Sequence, residues 1–257
     1  LVVGNRDEVA EKVKKMAPDG NLRFYDHYGN PVKPVNAALP SGLSAEQVVE
    51  AYLSAIGGRE KIAAIQDMVT TNTMFVGGSS FDLKTTQKDG DKIVVEASSA
   101  GQLINKKVFD GAQGFIMGGS PNAKPQAVEG EELADLKEQA AWCKEALYAK
   151  NAYRLSLKGT TNIEGAEVYL VEVTRPDGKV SKQYYDTKTG LKLREESTLP
   201  SATGLLEQTA DFSNYREVGG VKLPHTVILT GLLPTPIQMS VKEISVNQGV
   251  SADVFKR

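Results

Sequence analysis

The chain has one cysteine, Cys143, and two histidines, His27 and His225, in 257 residues. A lone thiol excludes an internal disulfide and any zinc site built from cysteines. Neither histidine has a partner at His-x-x-x-His or His-x-x-Glu-His spacing, so the metal-peptidase motifs are missing. Long apolar runs are missing too. The most apolar stretch, 226–237, is interrupted by Gly231, Pro234 and Pro236 and falls short of the roughly 20 apolar residues a membrane span needs. Charge of one sign is not in excess: 30 Lys and Arg face 32 Asp and Glu, with a pI near 5.9. That balance leaves no basic footprint for nucleic acid. Gly-x-Ser-x-Gly and Gly-x-x-x-x-Gly-Lys patterns are absent. The pairs Gly77-Gly78 and Gly118-Gly119 do not open a helix and read as hairpin turns rather than phosphate cradles.

What is present falls into two parts. Residues 1–30 read as strand, helix, strand: Leu1-Val2-Val3 extended, Asp7 capping a helix with Val9, Val13 and Met16 in step, and Leu22 to Asp26 extended again. The chain shows neither an initiator Met nor a targeting segment, so it is expected to be the C-terminal piece of something longer. Residues 31–43, with three prolines, read as a linker. The expected domains are therefore 1–35, a remnant with its linker, and 36–257, an independent module.

The module opens on a capping box, Ser44-Ala45-Glu46-Gln47, in which Ser44 and Gln47 satisfy each other's backbone N–H groups. Leu43 and Val48 form the ends of a hydrophobic staple. Val48, Val49, Tyr52, Leu53 and Ile56 make an apolar stripe closed by Gly57-Gly58, and a short helix, Arg59 to Ile65, follows. Strands are expected over 67–77, 80–88, 91–98, 102–109 and 113–117, and 119–128 reads as a loop. A second long helix is expected from Glu131 to Ala149, with Leu133, Leu136, Ala140, Cys143 and Leu147 on one stripe. Strands resume at 153–159, 166–174, 179–186, 190–198, 205–213, 220–232 and 236–247. Hairpin-length connections demand antiparallel pairing, since parallel crossovers need a helix between strands. The expected fold is mainly β in an α+β arrangement. It is a strongly curved antiparallel sheet of about 11 strands, an unclosed half-barrel, with helices covering its concave face.

Catalytic readings are weak. Cys143 has no base nearby in sequence and reads as a core residue. His225 follows Pro224 at a strand start. Glu129, Glu131, Glu132 and Asp135 sit in the first turns of a helix, where the dipole favours them. A curled sheet with helices on one side should enclose an apolar cavity. Its candidate lining residues are Met74, Phe75, Phe81, Phe115, Met117, Trp142, Leu147 and Met239, methionine beside aromatics making a pliable wall.

Two stretches resemble known families. Leu1-Val2-Val3-Gly4-Asn5-Arg6-Asp7 and Phe24-Tyr25-Asp26-His27-Tyr28-Gly29-Asn30-Pro31 resemble the last strand–helix–strand of insulinase-like (pitrilysin-type) zinc peptidases. The resemblance covers about the first 35 residues and implies an upstream peptidase domain holding the zinc; this chain itself is expected to bind no cofactor. Glu46-Gln47-Val48, Tyr52 to Gly58, Tyr184 to Leu191 and Asp211 to Pro224 resemble outer-membrane lipoprotein-sorting (lipoprotein-carrier-like) proteins. That resemblance implies a half-barrel capped by helices, a periplasmic or outer-membrane-associated location and a cavity suited to acyl chains.

The sequence therefore leads to a non-catalytic C-terminal region of a periplasmic zinc peptidase. It is expected to bind a lipid, lipopeptide or hydrophobic peptide. The alternative is a structural module that stabilises or oligomerises the parent.

Overall fold

A computed structural model of the chain describes residues 24–25, 31–32, 39, 41–120, 122–201 and 204–256. Of the expected N-terminal unit, β1 (Phe24–Tyr25) is described; the rest of 1–30, His27 included, lies outside the described residues. β1 pairs antiparallel with β2 (Pro31–Val32), so the first two residues of the expected linker are a strand. A two-stranded ribbon is all edge, where the missing N–H of proline costs no ladder bond.

Helix α1 (Ala45–Ala55) begins as its capping box dictates. The Ser44 hydroxyl accepts from the Gln47 amide at 3.3 Å, and the Gln47 side chain accepts from the Ser44 amide at 2.8 Å. It buries Ala45, Val48, Val49, Tyr52 and Leu53. Gly57 then turns the chain at φ +132°, and a Cβ there would stand 2.7 Å from the Gly220 carbonyl oxygen. No other residue fits that corner. The short α2 (Arg59–Ala63) follows.

The strands after it are β3 (Asp67–Val76), β4 (Ser79–Lys88), β5 (Lys92–Ser99), β6 (Gln102–Phe109), β7 (Gly114–Gly118) and β8 (Gln126–Val128). Next come α3 (Gly130–Ala140) and a 3-10 turn, Lys144–Leu147. The remaining strands are β9 (Arg154–Ile163), β10 (Ala166–Thr174), β11 (Val180–Asp186), β12 (Lys192–Ser201), β13 (Gly204–Val218), β14 (Val221–Thr230) and β15 (Ile237–Val246). A second 3-10 turn, Ala252–Phe255, ends the described chain.

Strands β3 to β15 form one antiparallel sheet of 13 strands in the order β8-β7-β6-β5-β4-β3-β15-β14-β13-β12-β11-β10-β9. The ends are β8 and β9, so the sheet is unclosed. The count exceeds the expected 11 or so. Strand β8 in particular lies inside the stretch read as a loop: Gln126-Ala127-Val128 carries no alternation of its own and is held by pairing with Gly114 to Ile116.

The sheet curls. Helix α1 lies against β9 and β10, and the Ile56 carbonyl in the turn that ends it accepts from the backbone N–H of Lys222 in β14 at 2.8 Å. Strands β14 and β9 are five places apart in the sheet. In a flat sheet that is about 24 Å at roughly 4.8 Å per strand, twice the roughly 10–12 Å girth of a helix. Only a sheet bent around α1 brings both to it.

The main core follows from this. Tyr52, Leu53 and Ile56 pack with Met68, Val171, Val173, Tyr185 and Val221. The predicted helix over 131–149 is broken at Ala141, which is extended at ψ 112°. Leu133, Leu136 and Ala140 pack on Ile93 and Phe109, whereas Cys143 and Tyr148 belong to the core around α1. One straight helix cannot serve both clusters, so the stripe splits.

Candidate functional site

Successive side chains of a strand alternate between faces, and residues opposite each other on neighbouring strands share a face. The face carrying Met68, Val171 and Tyr185 is the one packed on α1. Following the register from there places Phe212, Val227, Met239, Met74 and Phe81 side by side on that same face. Phe212 stands opposite Val227, Val227 opposite Met239, Met239 opposite Met74, and Met74 opposite Phe81. All five are half-buried, and none joins a packed cluster. They form an apolar trough across β13, β14, β15, β3 and β4, beyond the reach of the helices.

Next to Phe212 the trough runs into a cleft of about 470 Å³. Apolar walls come from Tyr52, Trp142, Leu199, Phe212, Leu223 and Pro224. Its floor is a chain of alternating charges. Lys192 Nζ lies 2.6 Å from Glu145 and 3.0 Å from Glu195. Lys144 lies 2.6 Å from Glu195 and 3.1 Å from Glu138. Arg175 reaches Glu138 at 2.6 Å and Asp135 at 2.7 Å, and Lys179 reaches Asp135 at 3.0 Å.

A bulge makes this possible. The register between β11 and β12 shifts at Tyr184/Tyr185, so Lys192 and Glu195 both face the helix side while Arg194, opposite Tyr184, pairs with Asp211 on the other face. The break after α3 does the rest by letting the 3-10 turn carry Glu145 inward.

Lys192 and Glu145 are 6% and 4% exposed. Burial alone works against the Lys192 charge, yet the Glu145 and Glu195 carboxylates overcome it and raise its pKa well above the ordinary lysine value. Burial likewise opposes ionisation of Glu195, and Lys144 and Lys192 outweigh it, holding that carboxyl below its usual range. Lys192 and Glu195 are therefore held in their charged forms, and the cleft lining carries four basic side chains against four acidic ones. Lys192 Nζ also sits 4.8 Å from the Phe212 ring centroid, tying the charged floor to the apolar trough.

Of the residues expected to line a cavity, Met74, Phe81 and Met239 come together in the trough and Trp142 in the cleft wall. Phe115 and Met117 do not join them. Phe115 stands opposite Val108, and Met117 packs with Val94, Val108 and Phe255 on the other face of the sheet. Phe75 follows Met74 and so points the other way, 65% exposed. Leu147 is half-buried and does not line the cleft. Phe212 and the charged floor were missed by the sequence reading. Their one trace is that Lys192 and Glu195 break the apolar alternation of a strand.

The Cys143 thiol is not poised as a nucleophile. Burial, with Glu145 beside it, pushes the Cys143 thiol up to about 12. His225 Nδ1 lies 2.9 Å from the Leu223 carbonyl oxygen. Among the described residues, no group of three His, Cys, Asp or Glu side chains is arranged to hold a metal ion.

No family model matches the chain, and no curated protein matches its sequence. Solved structures do match. A LolA-superfamily protein from Nitrosomonas europaea aligns at TM-score 0.58 and 14% identity, over 84% of this chain and 99% of that one. A DUF1329-family protein from Desulfovibrio piger aligns at TM-score 0.59 and 15% identity, over 83% and 97%. The chain has a LolA-like fold. A domain from Vibrio parahaemolyticus described as an outer-membrane lipoprotein-sorting protein aligns at TM-score 0.57 and 15% identity, over 82% and 97%. The LolA-like likeness accounts for the unclosed half-barrel. It gives no support to the peptidase resemblance of the first 35 residues, nearly all of which lie outside the described ones.

Proposed function

We propose that this chain is a non-catalytic binding module. In this proposal an acyl chain or other extended hydrophobic ligand lies in the trough of the concave face, with α1 and α3 covering the rest of that face and the ligand's polar end at the charged cleft. The observation that carries this is the row Phe212, Val227, Met239, Met74 and Phe81 on one face. A folded domain normally covers such a row, and among the described residues no cluster does. The balanced floor discriminates against a strongly charged headgroup and favours a neutral or zwitterionic one, because no net charge waits to be paired.

A cell-envelope location is the matching proposal. It is supported by the lipoprotein-sorting description of the Vibrio neighbour and by the sequence resemblance. The peptidase parent and its zinc rest on the resemblance of the first 35 residues alone. Reading the upstream sequence for His-x-x-Glu-His tests that part.

The binding proposal is tested by purifying the chain, extracting it and identifying co-purified lipid by mass spectrometry, then titrating a fluorescent fatty acid into the delipidated protein. Saturable uptake that Met239→Asp abolishes is the expected result. No uptake by protein shown to be folded would overturn it, and self-association that fills the trough would favour the oligomerising alternative.

A further inference from the structure

In an antiparallel meander the hairpins alternate between the two ends of the sheet. The turns β4–β5, β11–β12 and β13–β14 lie at the end closed by the helices. Gly190 of the β11–β12 turn stands against Ala51 of α1, and Gly220 of the β13–β14 turn against Lys61. The connections β7–β8, β5–β6, β3–β4, β14–β15, β12–β13 and β10–β11 lie at the opposite end, in that order around the rim.

The two rims differ in chemistry. At the helix end the turns carry Asp89, Asp91, Asp110, Glu164, Asp186 and Glu217. At the open end the four central hairpins, over 98–104, 75–80, 230–237, 199–201 and 204–206, contain no Asp, Glu, Lys or Arg, in a chain where charged residues make up 24%, and the two outer connections carry Lys124 on one side and Arg175, Asp177 and Lys179 on the other. Each of these four hairpins instead exposes a large apolar side chain: Leu103 and Ile104 at 41% and 42%, Phe75 at 65%, Leu233 at 41% and Leu205 at 76%. Of the exposed large hydrophobics among the described residues, only Val180 and Val254 lie elsewhere.

We infer that the open rim is a membrane-contact surface, the four hairpin tips entering the interface of a lipid bilayer. Three features favour a bilayer over a protein partner. The apolar residues stand on separate tips roughly two strand spacings, about 10 Å, apart, a spacing a fluid layer fills without needing a complementary shape. Glycine, serine, threonine and proline occupy most of the remaining positions, and Val76, Leu206 and Leu232 are half-buried, so the exposed apolar side chains do not join into one contiguous patch of the kind a protein interface needs. The absence of charge from these four central hairpins removes the desolvation cost that would resist their insertion. The trough opens between the same hairpins, since β3, β4, β13, β14 and β15 carry both. A hydrophobic ligand would then pass between bilayer and trough without crossing water.

The contact does not depend on which ligand the trough holds, and its test is separate. The full chain is mixed with phosphatidylcholine vesicles and floated on a density gradient. It is compared with the triple variant Phe75→Ser, Leu205→Ser, Leu233→Ser and with the control Val254→Ser, each checked for folding by thermal melting and for fatty-acid uptake. Co-flotation of the wild type and of Val254→Ser, insensitive to 0.5 M salt, with at least a tenfold loss in the triple variant and unchanged uptake, is the expected result. About tenfold per tip is what burying one such side chain contributes. Absence of co-flotation, equal flotation of the triple variant, or binding confined to anionic vesicles and abolished by salt would each overturn the inference. A concentration-dependent dimer lost in the triple variant would also overturn it, by showing that the rim pairs with a second copy.

Discussion

The helix end and the open end of the sheet are built from the same strands and have little else in common. On β3, Met68 is 4% exposed in the core around α1, while Met74 shares its face six residues along and belongs to no cluster. On β15, Val246 packs in the core and Met239 lies in the trough. At the helix end, polar and charged turns and two helices fix the structure. The open end has apolar side chains that no described residue covers. One end reads as scaffold and the other as site. The same residue type should therefore respond differently to substitution depending on which end it occupies.

The largest effect should come from the buried charges that join the two. Lys192→Met would leave Glu145 and Glu195 facing each other without their cation, and removing one partner of a buried pair costs about 3–5 kcal/mol. Urea unfolding measures it. The exposed Lys242–Asp82 pair, 2.9 Å apart near the open half, serves as the contrast: Lys242→Met should leave the midpoint unchanged. Equal effects would erase the distinction between the ends. Met68→Ala comes next, at about 2–5 kcal/mol for a core methionine cut to alanine.

Acid should remove part of the network's contribution. Because the folded-state pKa of Glu195 is depressed, its stabilisation is present above its unfolded value near 4.3 and is lost as pH falls through the folded value. Urea midpoints between about pH 5 and 2 should fall, and Glu195→Gln should flatten that dependence.

How far this division could be read in advance depended on how local each cause was. The Ser44–Gln47 box is complete within four residues, and the Asp89-Gly90 and Gly219-Gly220 turns announce themselves because both residues of each take positive φ. Strand β8 could not be read, since its pairing with β7 is the reason it is extended. The break at Ala141 is a compromise between two clusters that meet only in three dimensions. The trough was half-legible: Met74, Phe81 and Met239 were singled out by composition, but composition cannot say that Phe115 and Met117 face the other way. Parity relative to the core decides that, and bulges reset parity, as at Tyr184/Tyr185. The ion-pair chain joins Lys144 to Glu195 across 51 positions, and no local pattern carries such a link.

A smaller effect is expected where the helix end begins. Ser44→Ala removes the hydroxyl that accepts the Gln47 amide and should cost about 1 kcal/mol, measured as a drop in the urea midpoint with no change in ligand uptake. Loss of uptake would mean that the start of α1 helps shape the trough.

The smallest stability effect should be the most informative. Met74→Ala shortens a half-buried side chain that joins no packed cluster, so it leaves no sealed cavity behind and should change stability by less than about 1 kcal/mol. The same substitution six residues earlier, at Met68, should cost several times as much. If the trough holds an acyl chain, Met74→Ala removes contact area from the middle of the row and should weaken fluorescent fatty-acid uptake by about threefold to tenfold. A stability loss matching that of Met68→Ala would show that the trough is packed core after all. Unchanged stability with unchanged uptake would move the ligand elsewhere on the face, toward the cleft beside Trp142 and Phe212.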